Sequence, residues 1–280
     1  MTAATASTGP RALRTHDMMK KGPAIRMLSG LARPLAPWLD EGVFVFHQGR
    51  CGSTVLAHLL DRHPRLTAFG EIFETPYQRR RLQAPAAAML RARRTQALPG
   101  RAVVEAKFFE CQHLSLLGLT LEAFVDLLRD CGYRRFVVLD RKNYLQKILS
   151  SRLALARGRR FHYAAGEAVP QTQVDIDVDG VQILGKHAPM LEMFAYMDDQ
   201  YARLRAALAG APVLELTFED DIVADPHTAY ARVCTWLGLE PVPVETDLRR
   251  SNTRAPREVI GNWDEVAATL SGTPYAWMLD

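Results

Sequence analysis

The chain has 280 residues, 48% of them hydrophobic, which is ample for a buried core and for a single α/β domain. Its 35 basic and 31 acidic residues leave a formal charge of only +4, a balance that does not demand nucleic acid and suits a small anionic ligand. Four cysteines, Cys51, Cys111, Cys131 and Cys234, are far apart and form no C-x-x-C pair or metal-ligand spacing, which predicts free thiols, a reducing compartment and no bound metal.

Residues 1–38 are rich in Thr, Ala, Ser, Gly and Pro with scattered Lys and Arg, and read as a flexible arm without chemistry; residues 39–280 read as one domain. The stretch Met1–Gly22 has no apolar segment long enough for a signal peptide, and no run of about 18 apolar residues follows, so a cytoplasmic chain without a transmembrane segment is expected.

The first ordered element is predicted at Gly42-Val-Phe-Val-Phe-His47, a β-rich apolar run. A small-residue turn, Gln48-Gly-Arg-Cys-Gly52, leads from it into the helical pattern of Ser53 to Asp61. A glycine-containing loop that opens a helix presents free backbone N–H groups and the positive end of the helix dipole, a setting that favours an anion. Arg50 adds a forked charge suited to phosphate or sulfate, while Ser53 and Thr54 add hydroxyl donors. The nucleotide pattern G-x-x-x-x-G-K-[ST] is not met, because no Lys precedes Ser53 or Thr54.

Beyond this unit, Leu66–Gly70 reads as extended and leads to Glu71 and Glu74, which Pro76 places on a loop at the sheet edge. Arg79–Arg81 and Arg91–Arg94 flank Ala-rich helical sequence and read as a solvated charged face, with an acidic-substrate or membrane-surface patch as the alternative. Strands are predicted at Ala102–Phe109, Arg134–Asp140 and Pro212–Phe218, and helices at Leu121–Cys131, Tyr144–Arg157, Met190–Leu208 and from Pro226, capped by Asp225, to Gly238. Val174–Ile183 alternates around Asp179-Gly180 and predicts a hairpin; a calcium loop starting at Asp175 is rejected because its twelfth position is Lys186. Asn262 with Glu265 predicts a capping box on the last helix. The strand-helix alternation implies a parallel, doubly wound sheet with ligands beyond the carboxyl ends of its strands, where both Arg50 and Arg141 fall.

The segment Gly49-Arg-Cys-Gly-Ser-Thr54, followed by a helix and His63-Pro64, resembles the 5′-phosphosulfate loop of sulfotransferases that use 3′-phosphoadenosine 5′-phosphosulfate (PAPS). The resemblance extends over residues 42–279 and is closest to bacterial carbohydrate and lipid sulfotransferases. It implies a P-loop-like three-layer sandwich, with a central, mostly parallel sheet flanked by helices. It also implies PAPS as co-substrate, bound through Arg50, Cys51, Gly52, Ser53 and Thr54, and a hydroxyl-bearing carbohydrate, lipid or secondary-metabolite acceptor. Val137-Val-Leu-Asp-Arg141 with Ser150-Ser151 resembles the family's 3′-phosphate grip; the spacing fits Arg141 or Lys142 with either serine, and the Arg141-Lys-Asn143 turn favours Arg141 with Ser150. The segment Leu216–Pro226, ending at Trp236-Leu-Gly238, resembles the family's acidic turn and helix, and Ser251–Asn262 its terminal segment; the adjoining Arg249 and Arg250 with Arg254 either close over the nucleotide or are solvated surface charge.

Sulfuryl transfer needs an in-line nucleophile, charge stabilisation and a base. Glu71 is the leading candidate base, ahead of His47 at the strand end and of Glu74. Lys107 resembles a family lysine aimed at the leaving group, and His113, His162 and His187 remain as acceptor contacts. The rival class is a P-loop nucleotide-dependent kinase or NTPase, in which Asp140 would bind magnesium; the missing loop lysine argues against it. A third class is a non-enzymatic module with a degenerate nucleotide site.

Overall fold

The computed structural model describes residues 22–32, 34–35, 38–73, 84–164, 166–183 and 186–280. Five strands form the central sheet: β1 (Gly42–His47), β2 (Leu66–Glu71), β3 (Arg101–Lys107), β4 (Tyr133–Asp140) and β5 (Val213–Thr217). Their order is β2-β3-β1-β4-β5 and every pairing is parallel. The expected α/β three-layer sandwich is present, with a sheet that is parallel throughout.

Period-2 alternation assigns the two faces of the sheet. Val43, Val45, Val103, Val137, Leu139 and Leu216 face α2 (Ser53–Asp61) and α7 (Pro226–Trp236). Phe44, Phe46, Val104, Phe136 and Val138 face the opposite layer. That layer comprises α3 (Ala86–Gln96), α4 (Leu121–Asp130), α5 (Tyr144–Ala156) and α6 (Met190–Ala207). Burial on both sides explains why the strands read as continuous apolar runs. Helix starts follow local chemistry: Thr120, Asn143 and Asp225 each accept a backbone N–H of the first turn, and Pro226 occupies the first position of α7. Among the described residues no single helix is long and apolar enough to cross a membrane.

Several expectations need correction. Within the arm assigned to residues 1–38, α1 (Gly22–Leu31) is helical and buries Ile25 in the core. Val174–Ile183 is not a hairpin around Asp179-Gly180. Instead Val181–Ile183 pairs with Lys186–Ala188, and Val174 bridges Ile260. The reason lies in Asn262, whose side chain accepts the N–H of Ile176 and donates to its carbonyl, acting as a strand neighbour. That side chain is thereby withdrawn from capping α8 (Trp263–Leu270). Arg93 and Arg94 do not form a solvated face: Arg93 is buried over the Phe69 ring, and Arg94 donates to the carbonyls of Cys131, Leu39 and Asp40. Glu71 ends strand β2 instead of sitting on a loop. Glu74 and Arg79–Arg81 lie outside the described residues.

Candidate functional site

In this sheet β1 lies between β3 and β4, so the chain leaves β1 toward one edge and later continues on its other side. The carboxyl end of β1 is therefore the topological switch point, where open α/β sheets form ligand crevices. The loop there is tightly wound: Gly49, Arg50 and Gly52 have φ of 84°, 59° and 84°. Two of those positions hold glycines at a φ that strains any other side chain. A Cβ on Gly49 would lie 3.0 Å from Lys107 Cε, and one on Gly52 would lie 2.7 Å from Ile222 Cγ2. Neighbouring elements fix the loop: Gln48 Nε2 donates to the Arg141 carbonyl at 3.1 Å, and Gln112 Nε2 donates to the Gln48 carbonyl at 3.2 Å. Helix α2 starts at Ser53 after Gly52, which has no side chain to cap it; the Ser53 N–H is turned to the Cys51 thiol, leaving the helix dipole and the Ser53 and Thr54 hydroxyls at this end.

Arg50 and Arg141 have different tasks. The Arg50 guanidinium donates to Ser150 Oγ through Nε at 3.0 Å and Nη2 at 2.9 Å, and reaches Ser251 Oγ and the Phe161 carbonyl. Arg141 is turned inward, donating to the Arg50 carbonyl at 2.8 Å and to Gln146 Oε1 at 3.1 Å, with its guanidinium over the Phe218 ring. Burial lowers its pKa to about 10. The side chain that meets Ser150 is thus Arg50, and Arg141 props the loop. Lys142 turns outward to Asp140 Oδ2 at 2.8 Å, and Ser151 Oγ donates to the Lys147 carbonyl of its own helix. Glu219 in the acidic turn accepts the N–H groups of Lys142 and Asn143 and so fixes the start of α5. Arg254 donates to the Glu258 side chain and carbonyl.

The other half of the site is built across three neighbouring strands. Glu71 pairs in register with Glu105, and His47 with Lys107, which puts one titratable group on each of β1 and β2 and two on β3 at one end of the sheet. Lys107 Nζ lies 2.6 Å from Glu71 Oε2, and His113 Nε2 lies 3.4 Å from the same oxygen. His47 Nε2 faces Glu105 Oε2 at 3.5 Å and Glu71 Oε1 at 3.9 Å.

Backbone donors settle the tautomers of both histidines. Gly49 N–H donates to His47 Nδ1 at 3.0 Å, and Lys107 N–H donates to His113 Nδ1 at 3.2 Å. Each neutral ring therefore carries its proton on Nε2, directed at the carboxylates. Burial first, then the Lys107 charge, holds His47 well below the ordinary histidine range and His113 down to about 3. Both rings are neutral, and the buried Nε2 of His47 makes no hydrogen bond. The only lone pair His47 could use as a base is occupied by Gly49 N–H. The same proton placement bears on metal binding: ligand atoms of His47, Glu71 and Glu105 lie within 4.8 Å of one another, yet Nε2 already carries hydrogen and Lys107 neutralises Glu71.

Of the residues singled out from sequence, the structure brings together Glu71, Lys107 and His47 in one cluster and Arg50 with Ser150 in another. It keeps Arg254 apart. Glu105 and Lys147 were missed; a charged residue inside an apolar strand and a lysine on the buried stripe of α5 are the signals that mark them. No protein-family model matches the chain, and neither the curated proteins nor the solved structures yield a match.

Proposed function

We propose that this protein is a PAPS-dependent sulfotransferase that acts on the hydroxyl of a carbohydrate, lipid or secondary-metabolite acceptor. The observation that carries the reading is Lys107. Its stem packs on Gly49 of the anion loop while its ammonium holds Glu71, so one side chain joins a charge-binding half to a proton-accepting half. In this reading the α2 N-terminus with Ser53 and Thr54 receives the 5′-phosphosulfate, and Arg50 with Ser150 receives the 3′-phosphate. Glu71 takes the acceptor's proton as its oxygen bonds to sulfur. The sulfur–oxygen bond to the 5′-phosphate breaks, and its electron pair stays on the phosphate, where Lys107 balances the charge.

Kinase chemistry has less support. Asp140, the residue that would bind magnesium, is ion-paired to Lys142 at 2.8 Å and faces Arg205 at 3.6 Å, so its charge is already met by two cations. The test compares thermal shifts with 3′,5′-bisphosphoadenosine and with ADP plus magnesium, followed by mass spectrometry of an extract incubated with PAPS. Stabilisation by the bisphosphate and products heavier by one sulfuryl group are expected. Stabilisation by ADP with magnesium alone, together with ATP turnover, would overturn the assignment.

A further inference from the structure

On the buried side of α5, one turn before Ser150, Lys147 is only 4% exposed. Among the described residues its ammonium makes no hydrogen bond or ion pair. The ionisable groups that bear on it come from four places: Cys51 in the loop, Lys107 at the end of β3, Cys111 just beyond it, and Arg141 after β4. Two of these are cations. The other two are thiols held protonated by burial, Cys51 up to about 12 and Cys111 also raised, so neither supplies a counter-charge. A lysine this deeply buried, with no carboxylate partner among the described residues, is uncompensated, an arrangement that folded chains rarely keep without a partner. It projects from the stretch of α5 between Gln146 and Ser150, which accept from the Arg141 and Arg50 guanidinium groups, so this part of the helix is the wall against which the anion loop packs.

We infer that Lys147 is a donor-binding residue, reaching from α5 to supply the ammonium that the loop itself lacks and contacting the 5′-phosphate of the donor. The inference rests on the sulfotransferase reading for the donor's identity but not for the anion site. During transfer the acceptor oxygen bonds to sulfur, its proton passes to Glu71, and the bridging sulfur–oxygen bond breaks. The released electron pair resides on the 5′-phosphate oxygen beside Lys147, which keeps its proton and acts through charge alone. This accounts for a phosphate-style loop without a loop lysine: the positive charge comes from the helix after β4.

The experiment uses the full chain and Lys147→Met, which preserves length and removes the charge, with Lys147→Gln as a second variant should methionine misfold. Thermal shift and calorimetry are run with 3′,5′-bisphosphoadenosine, with adenosine 3′-phosphate, which lacks the 5′ group, and with inorganic phosphate. Lys147→Met should melt at or above the wild type without ligand, because it removes an uncompensated buried charge. It should bind the bisphosphate at least about tenfold more weakly, as expected for a lost charge-assisted contact. It should bind adenosine 3′-phosphate unchanged. Equal bisphosphate affinity in wild type and variant overturns the inference, as does an equal loss for both nucleotides. Should the wild type ignore both nucleotides yet bind inorganic phosphate in a Lys147-dependent way, the donor assignment fails while the anion site stands. Binding of none of the three by the wild type overturns both.

Discussion

The two halves of the site differ in how their charges are settled. Around Glu71 the charge has an internal answer: Lys107 at 2.6 Å and the Nε2–H of His113 at 3.4 Å, with the neutral His47 ring 3.5 Å from Glu105. Around the loop, Arg50 and Arg141 donate to hydroxyl, carbonyl and amide oxygens, and among the described residues no carboxylate accepts from either guanidinium or from Lys147. The first half is organised before any ligand arrives, as groups that move a proton must be. The second is left short of negative charge, which a phosphorylated and sulfated donor supplies. The contrast identifies which variants should change chemistry and which should change binding.

The largest effect should follow Glu71→Gln. It keeps the acceptor for Lys107 and removes the proton-accepting oxygen, so kcat should fall by the ~10²–10⁴-fold typical of general-base loss while donor affinity holds. Steady-state kinetics with matched melting temperatures check this. Near-normal turnover would place the base elsewhere, and His47, whose free lone pair is already engaged, would have to change tautomer to take the role.

The pre-paired half also sets a pH dependence of stability. His47 and His113 have folded-state pKa values below the ordinary 6.5, so below pH 6.5 the unfolded chain takes up protons that the folded chain refuses. Stability is therefore complete above about pH 6.5 and falls as pH drops toward 3, where His113 finally protonates. Between pH 7 and pH 5 the two rings together should cost on the order of 2–4 kcal/mol. Urea unfolding at the two pH values checks it, and His113→Gln should flatten the dependence; a stability independent of pH in that window would mean that the rings are charged or exposed.

How much of this was legible in the sequence depended on whether the relevant physics was local. Strand β1, the loop and α2 were read nearly to the residue, because apolar runs, glycines and helix periodicity are near-neighbour properties. Glu71, Lys107 and His47 were chosen separately, and only the register of β2, β3 and β1 brings them together. The partner of Ser150 was not legible: spacing along β4 and α5 points to Arg141, whereas the left-handed turn at Arg50 swings a different guanidinium across. Asn262 shows the same limit, since its choice between capping a helix and binding Ile176 is made by a segment 86 residues away.

The open half predicts a smaller effect for Arg50→Ala. Removing its two contacts to Ser150 and its charge should weaken 3′,5′-bisphosphoadenosine binding by about 1.5–3 kcal/mol. Adenosine 5′-phosphosulfate, which lacks the 3′-phosphate, should lose much less. Calorimetry with both ligands decides between Arg50 and Arg141. A loss confined to the 3′-phosphorylated ligand in Arg141→Ala, with Arg50→Ala neutral, would restore the pairing suggested by sequence spacing, whereas the observed geometry has Arg141→Ala loosening the loop and weakening both ligands alike.

The smallest effect should come from Arg254→Ala. Its guanidinium pairs with Glu258 one turn away on an exposed surface, an arrangement worth about 0.3–0.5 kcal/mol. With no contact to Arg50 or Ser150, its loss should change bisphosphate affinity by less than about threefold, a bound that calorimetry resolves. A closing C-terminal segment would behave differently, since Arg254 would have to leave Glu258 to reach the nucleotide. Glu258→Gln separates the cases. If the Glu258 carboxylate restrains Arg254 from the donor, releasing it should tighten donor binding, and Arg254→Ala should cancel that gain; if Arg254 only steadies the surface, both variants should bind the donor as the wild type does.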